Sequence, residues 1–160
     1  MKTKPYVEWD AAFSVENEQL DSQHQKMFQI LNKLHDLVQK GGSASHFGKI
    51  LDEAQEYAKL HFNCEEELLA AAHFPDLEQH KRFHQDYVER VEQYMKRAKT
   101  ENGDVAFEMF LFLKDWWLDH VIGADRDYIP FVSTLKKDRR QGAPCSNGAN
   151  RPGLFQAAMS

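Results

Sequence analysis

The chain has 160 residues, which is enough for one domain with a substantial core and too short for two domains of ordinary size. Its formal net charge is −5, with acidic and basic residues intermixed, which excludes the basic surface that binding to nucleic acid requires. The sequence contains neither a run of about 18 apolar residues for a membrane span nor an apolar secretory segment near its start, so we expect a cytoplasmic monomer that binds neither membranes nor nucleic acid.

Residues 1–20 are predicted to form an N-terminal arm. Three aromatic residues stand in it without helical spacing, and we expect their rings to pack onto the body of the protein. They are Tyr6, Trp9 and Phe13.

The first predicted helix runs from Asp21 or Ser22, either of which can cap its N-terminus, to about Lys40, just before two glycines. Its inner face follows the i, i+3, i+4, i+7 spacing of an amphipathic helix. The residues of this face are Leu20, His24, Met27, Phe28, Leu31, His35 and Val38.

The second predicted helix is capped by Ser43 or Ser45 and reaches about Ala72. Its inner face mixes small, aromatic and metal-ligating side chains. These are Ala54, Tyr57, Ala58, His61, Cys64, Glu65, Leu68 and Ala72. A turn over 73–76 follows, because the residue before Pro75 is disfavoured in a helix.

The third helix is predicted from about Asp76 to Lys99 and, after a turn over 100–104, the fourth from Val105 to about Val121. Gly123 is expected to mark the end of the fourth helix or a kink. A short helix over 131–137 and a polar tail over 138–160, without chemistry of its own, complete the chain.

These elements predict an all-α protein, an up-down-up-down four-helix bundle with an N-terminal arm and a short C-terminal helix or tail. The arm is residues 1–20, the bundle is 21–137 and the tail is 138–160.

Side chains that can bind metals fall early in the first and third helices and late in the second and fourth. Because successive helices of such a bundle alternate in direction, these positions share one end of the core. His61 and Glu65 are four residues apart, as are His80 and His84, so each pair lies on one helix face. The candidate ligands are His24, His61, Glu65, His80, His84, His120 and Asp125.

Five imidazoles and two carboxylates suit iron better than manganese or zinc, because imidazole favours borderline metals and carboxylates can bridge two cations. If Glu65, Asp125 and one oxygen bridge two irons, five histidines divide as three and two, and one iron keeps an open position. The side chains expected around it are apolar: Met27, Phe28, Phe83, Trp116 and Trp117. A small uncharged ligand, and reversible binding of dioxygen, fit such a site.

Four motifs resemble the hemerythrin family in order and spacing, and in particular its bacterial branch. They are D-S-Q-H ending at His24, H-F-x-x-E over 61–65, H-x-x-x-H over 80–84 and H-x-x-x-x-D over 120–125. The resemblance covers Trp9 to Phe131.

The resemblance implies two non-haem irons bridged by Glu65, Asp125 and an oxo or hydroxo group. It assigns one iron to three histidines and the other, where oxygen would bind, to two. The first set is His80, His84 and His120, and the second is His24 and His61. The implied function is reversible oxygen binding for storage, transport or delivery, without enzymatic activity, and with an oxygen-using enzyme or a signalling protein as the expected partner.

The sequence departs from the family at Trp116-Trp117, where relatives usually carry Trp-Leu. Since that leucine lines the oxygen pocket in relatives, we expect Trp117 to narrow the pocket and to change the rate of oxygen exchange or autoxidation.

Two other functions use a similar site. A sensor of oxygen or nitric oxide would keep the same ligands. A diiron oxidase or peroxidase would use carboxylate-rich Glu-x-x-His pairs, and no glutamate stands three residues before a histidine in this sequence.

Other polar residues are interpreted as structural or solvated. Glu66 and Glu67 are expected to face solvent, and Tyr128 to hydrogen-bond near the bridging carboxylate. Asp127 competes with Asp125 in residue type, and the family spacing alone favours Asp125. The histidines expected outside the site are His35, His46 and His73.

Overall fold

The computed structural model of the protein describes residues 4–100 and 105–135. Four long helices form its body: α1 (Glu18–Lys40), α2 (Ala44–Ala71), α3 (Leu77–Thr100) and α4 (Val105–Asp119). Each packs against two others, in the closed order α1, α2, α3, α4. Short connections make sequential helices antiparallel, and no strand occurs in the described residues. The predicted all-α four-helix bundle is confirmed.

The start of α1 differs from the prediction. Asn17 is its cap, and the Asn17 side chain accepts hydrogen bonds from the backbone N–H groups of Gln19 and Leu20, both at 3.1 Å. Asp21, one of the two predicted caps, lies in the first turn. Its carboxylate accepts from the backbone N–H of Val15 at 2.8 Å and so ties the preceding segment to the helix.

The connections around α2 agree with the prediction. Ser43 caps α2 by accepting a hydrogen bond from the backbone N–H of His46. Gly41, with φ of +66°, ends α1 in the left-handed conformation that glycine adopts without strain. His73, with φ of +52°, reverses the chain before α3.

The fourth helix does not end at Val121 as predicted. It continues into a π-helical turn, His120–Ala124, in which the backbone N–H of Asp125 bonds to the carbonyl of His120. Two short helices follow, α5 (Asp125–Asp127) and α6 (Ile129–Leu135). Of the predicted turn over 100–104, Thr100 is instead the last residue of α3. The rest of that turn and the tail over 138–160 lie outside the described residues.

The arm packs its aromatic rings onto the bundle, as predicted. Trp9 and Phe13 lie 6.0 and 5.2 Å from the ring of Phe28, between centroids, and Tyr6 stacks on His35 at 4.5 Å. None of the helices within 4–100 and 105–135 combines the length and the apolar character that a membrane crossing needs.

Candidate metal centre

All seven candidate ligands lie together at one end of the bundle, enclosed by its helices. The most exposed of them, His120, has 5% of its surface accessible, and four have none. Burying this many ionisable groups together is unfavourable unless charges or cations compensate them. The seven are His24, His61, Glu65, His80, His84, His120 and Asp125.

One cluster of side chains surrounds Glu65 from α3 and the π turn. Glu65 Oε2 lies 3.1 Å from His80 Nε2 and 3.0 Å from His84 Nε2, and His84 Nε2 lies 3.1 Å from His120 Nε2. One ligand atom from each of these four residues lies within 4.8 Å of the others. The cluster can therefore offer three nitrogens and one oxygen to one cation.

A second cluster lies on the side of α1 and shares the same carboxylate. It consists of His24, His61 and Glu65, again with ligand atoms within 4.8 Å of one another. His61 Nε2 is 3.9 Å from Glu65 Oε2. Glu65 thus stands between two groups of imidazoles, one of three and one of two.

Asp125 also reaches both groups, with one oxygen toward each. Its Oδ2 is 3.3 Å from His24 Nε2, while its Oδ1 is 3.0 Å from His120 Nε2 and 3.5 Å from His80 Nε2. Asp127, which competes with Asp125 in residue type, is exposed. The geometry therefore favours Asp125.

The π turn explains how His120 and Asp125 share the site. Five residues along an ordinary α-helix turn a side chain through about 500°, which would leave the two about 140° apart. The wider π turn closes its hydrogen bond from residue 125 to residue 120, so both side chains face the same interior. Such turns are frequent at functional sites.

Three side chains orient the cluster from outside. His61 Nδ1 donates to Gln23 Oε1 at 2.9 Å. The Tyr128 hydroxyl donates to Glu65 Oε1 at 2.6 Å, so Tyr128 contacts the carboxylate that the sequence predicts to bridge two irons. His84 Nδ1 donates to Glu66 Oε1 at 2.8 Å. The expectation that Glu66 faces solvent is therefore wrong: its side chain is half-buried, with 26% of its surface exposed.

The electrostatics of the site keep both carboxylates ionised. Burial and the neighbouring Glu65 would raise the pKa of Asp125, but His120 and His24 lower it to about 2. Burial would likewise raise the pKa of Glu65, but the surrounding histidines hold it well below its usual value.

Two imidazoles respond in opposite ways to the same surroundings. Burial lowers the pKa of His61 to about 3, against the attraction of Glu65. Burial would also lower the pKa of His84, but hydrogen bonds to Glu65 and Glu66 raise it to about 9. A neutral His61 keeps a lone pair for a cation.

Within residues 4–100 and 105–135, the buried side-chain polar atoms that lack hydrogen-bond partners fit a metal centre. They are His24 Nδ1 and Nε2, His61 Nε2 and both carboxylate oxygens of Asp125. Buried polar atoms normally have partners, and most of these are potential metal-ligating atoms. Imidazole nitrogens and carboxylate oxygens suit iron, so the residues present fit two iron ions.

Aromatic rings wall the site. Phe62 stacks on His84 at 4.0 Å with 9° between planes, and Trp117 lies 5.7 Å beyond Phe62 and 5.6 Å from His61. Trp116 stacks on His120 at 4.2 Å. The sequence analysis did not predict Phe62 among the apolar neighbours of the site, because it is not part of the inner face that helical spacing indicates. It does, however, directly follow His61 in the H-F-x-x-E motif.

Phe83 and the three remaining histidines lie outside the buried interior of the site. Phe83, expected among the apolar neighbours, is 39% exposed, and it presents its ring edge-on to His120 at 6.2 Å. The other histidines are outside the site: His35 stacks on Tyr6, His46 contacts Ser43 and His73 is exposed.

The sequence and fold have known relatives. A family model described as the hemerythrin HHE cation binding domain matches residues 15–132. A bacteriohemerythrin of Clostridium acetobutylicum is 31% identical over 125 residues, 76% of this chain and 97% of that protein. A hemerythrin-like protein of Naegleria gruberi is 34% identical over 120 residues, 75% of this chain and 88% of that protein. A wild-type hemerythrin structure aligns with a TM-score of 0.74 at 30% identity, over 80% of this chain and 98% of that chain.

Proposed function

Because the chain belongs to the hemerythrin family, as the match over residues 15–132 shows, we propose that the seven buried side chains at the end of its bundle are the ligands of its diiron centre. The protein binds oxygen at that centre. The finer assignment of ligands is our proposal, and the observation that carries it is the position of Glu65 in both clusters.

Each cluster would hold one iron. His80, His84 and His120 would bind one, and His24 and His61 the other, with Glu65 and Asp125 shared. Asp125 supports this division because each of its oxygens faces a different cluster. The cluster with two histidines supplies fewer protein ligands, so we place the oxygen-binding position there.

When bound, the iron pair would supply reversible binding of dioxygen through its ferrous and ferric states. The protein's own residues provide the surroundings. Phe62 and Trp117 cover the side of His61 and exclude water and charged ligands, while Gln23 holds the imidazole of His61 by its outer nitrogen.

We propose a carrier or store of oxygen that is not an enzyme. The ligand set supports this, because five imidazoles outnumber two carboxylates, whereas diiron carboxylate enzymes are built from glutamates and Glu-x-x-His pairs.

Iron loading and oxygen spectra test the function directly. The purified protein is expected to hold about two irons per chain, one for each cluster. The reduced protein should gain a ligand-to-metal absorption band on exposure to oxygen and lose it under vacuum. Metal analysis that finds one metal per chain, or zinc alone, would contradict the diiron assignment.

Oxygen uptake separates the carrier from an enzyme. A carrier takes up one dioxygen per iron pair and stops, which an oxygen electrode can measure. Continuous consumption in the presence of a reductant, with release of peroxide or water, would instead indicate an oxidase or peroxidase.

Replacing Trp117→Leu is expected to speed oxygen association and dissociation about tenfold, equivalent to lowering the barrier by about 1.4 kcal/mol. The indole is 2% exposed, lies beside His61 and is held by a hydrogen bond from its Nε1 to the Tyr87 hydroxyl at 3.3 Å. Leucine is smaller and would leave space there. Stopped-flow and flash measurements give both rates.

The matched control for this variant is Phe107→Leu, an aromatic replacement on the same helix where the ring is 45% exposed. Its oxygen rates should equal those of the original protein. Equal rates in the Trp117 variant would show that this indole does not limit access.

A further inference from the structure

Two of the five imidazoles in the site are bonded, at their outer nitrogens, to side chains of different charge. His61 Nδ1 donates to the neutral amide oxygen of Gln23 at 2.9 Å. His84 Nδ1 donates to the carboxylate of Glu66 at 2.8 Å. The two clusters are therefore unequal in the electrostatics of their supports as well as in the number of their histidines.

We propose that Glu66 is a positioning residue that makes His84 a stronger electron donor, so that its cluster favours the oxidised state of iron more than the His61 cluster does. The inference rests on the proposed function, since it assigns His84 to one iron and His61 to the other. It adds a role for a residue outside the ligand set.

The physical basis is the direction of the hydrogen bond. A carboxylate that accepts from Nδ1 draws that proton toward itself and raises the basicity of the other nitrogen. His84 Nε2, which lies 3.0 Å from Glu65 Oε2, is that nitrogen. Hydrogen bonds to charged acceptors are about twice as strong as neutral ones, so the amide of Gln23 orients His61 with a much smaller electronic effect.

The packing around His84 makes it possible to test an electronic role of Glu66 apart from a role in orienting the ring. Phe62 lies flat against the imidazole of His84, 4.0 Å between centroids and 9° between planes, and so restrains the ring independently of Glu66. A glutamine at position 66 could still accept the Nδ1 hydrogen bond. Glu66→Gln therefore removes the charge while it preserves the contact and the shape.

Two single variants of the iron-loaded protein test the proposal. Glu66→Gln should retain two irons, shift the midpoint potential of the diiron pair to more positive values and lose iron to a chelator about tenfold faster, at the lower end of the 10–100-fold effects typical of such supports. Gln23→Glu adds a carboxylate behind His61 and should shift the potential to more negative values. Spectroelectrochemical titration and chelator competition are the measurements.

Glu67→Gln is the matched control, because Glu67 is the next residue of α2 and is exposed. It removes the same charge without touching a ligand, and screening by solvent should leave the potential and iron loss unchanged.

The proposal is overturned if Glu66→Gln has the potential and chelation rate of Glu67→Gln, or if it folds without retaining iron, since the amide keeps the hydrogen bond. If Glu66→Gln does not fold, Gln23→Glu decides the question. A shift of its midpoint potential to more negative values supports the proposal, and an unchanged or more positive potential overturns it. If the original protein holds two irons but the variants do not show the expected shifts, only the role of Glu66 is contradicted and the proposed function stands. Original protein without two irons contradicts the proposed function itself.

Discussion

Replacing Glu65→Ala is expected to abolish binding of both irons, lowering the metal content from about two per chain to near zero. Glu65 Oε2 lies within 3.9 Å of nitrogens from both clusters, so under the proposed assignment its loss removes a ligand from each iron position. The remaining carboxylate, Asp125, would face five imidazoles alone, and two divalent cations would lack much of the charge that balances them. Metal analysis after anaerobic loading with ferrous iron is the measurement.

Folding must be checked in the same variant, because Glu65 also accepts the hydrogen bond of Tyr128 at 2.6 Å. An unsatisfied buried hydroxyl costs about 1–3 kcal/mol, which a bundle of this size should tolerate. Circular dichroism should therefore report helix content close to that of the original protein.

Two controls match this substitution. Glu67→Ala removes an exposed glutamate from the same helix, and His35→Ala removes a histidine that stacks on Tyr6, about 16 Å along α1 from His24. Both should hold two irons. A Glu65→Ala protein that also holds two irons would contradict the shared position of this carboxylate.

The bundle and the grouping of the five histidines with Glu65 were predictable from sequence because both depend on periodicity, whereas only the spacing of the family motif favoured Asp125. The four-residue spacings of His61 with Glu65 and His80 with His84 fix a shared helix face before any tertiary contact forms. The alternation of early and late positions then needs only the antiparallel order that short loops impose.

The π turn was not predictable from local patterns. Periodicity indicated an ordinary helix ending near Gly123, yet the five-residue separation of His120 and Asp125 requires a wider turn if both are to face the core. The five-residue spacing therefore indicates a π turn only if one already assumes that His120 and Asp125 both bind metal. The predicted caps of α1, Asp21 and Ser22, were wrong because Asn17 suits a cap as well as Asp21 does, and the carboxylate of Asp21 instead accepts a hydrogen bond from the backbone N–H of Val15.

The contact between Glu66 and His84 also needed the tertiary structure. A helical wheel rotates Glu66 about 100° from Glu65, which correctly places it off the central axis of the core. A helical wheel cannot show, however, that α3 brings Nδ1 of His84 to the side of α2 on which Glu66 lies. Residues that support ligands from the boundary of the core are therefore the part of such a site that sequence periodicity describes least well.

Removing iron is expected to lower the free energy of unfolding by about 4 kcal/mol for each iron, when the free iron concentration is about a thousandfold above the dissociation constant. The reason is that the folded chain brings together ligand atoms such as His61 Nε2 and the oxygens of Asp125, which are buried without hydrogen-bond partners. The unfolded chain can solvate them. Metal-free protein should still fold near neutral pH, because His84, with its pKa raised to about 9, is protonated and offsets the buried carboxylates.

Denaturant unfolding with and without an iron chelator measures this difference. The Glu65→Ala variant supplies the control, because a protein that binds no iron should unfold at the same denaturant concentration in both conditions. Identical midpoints for the original protein with and without iron would mean that the cations do not stabilise the folded state. A chelator effect that persists in Glu65→Ala would mean that iron binds at positions other than those between the two clusters.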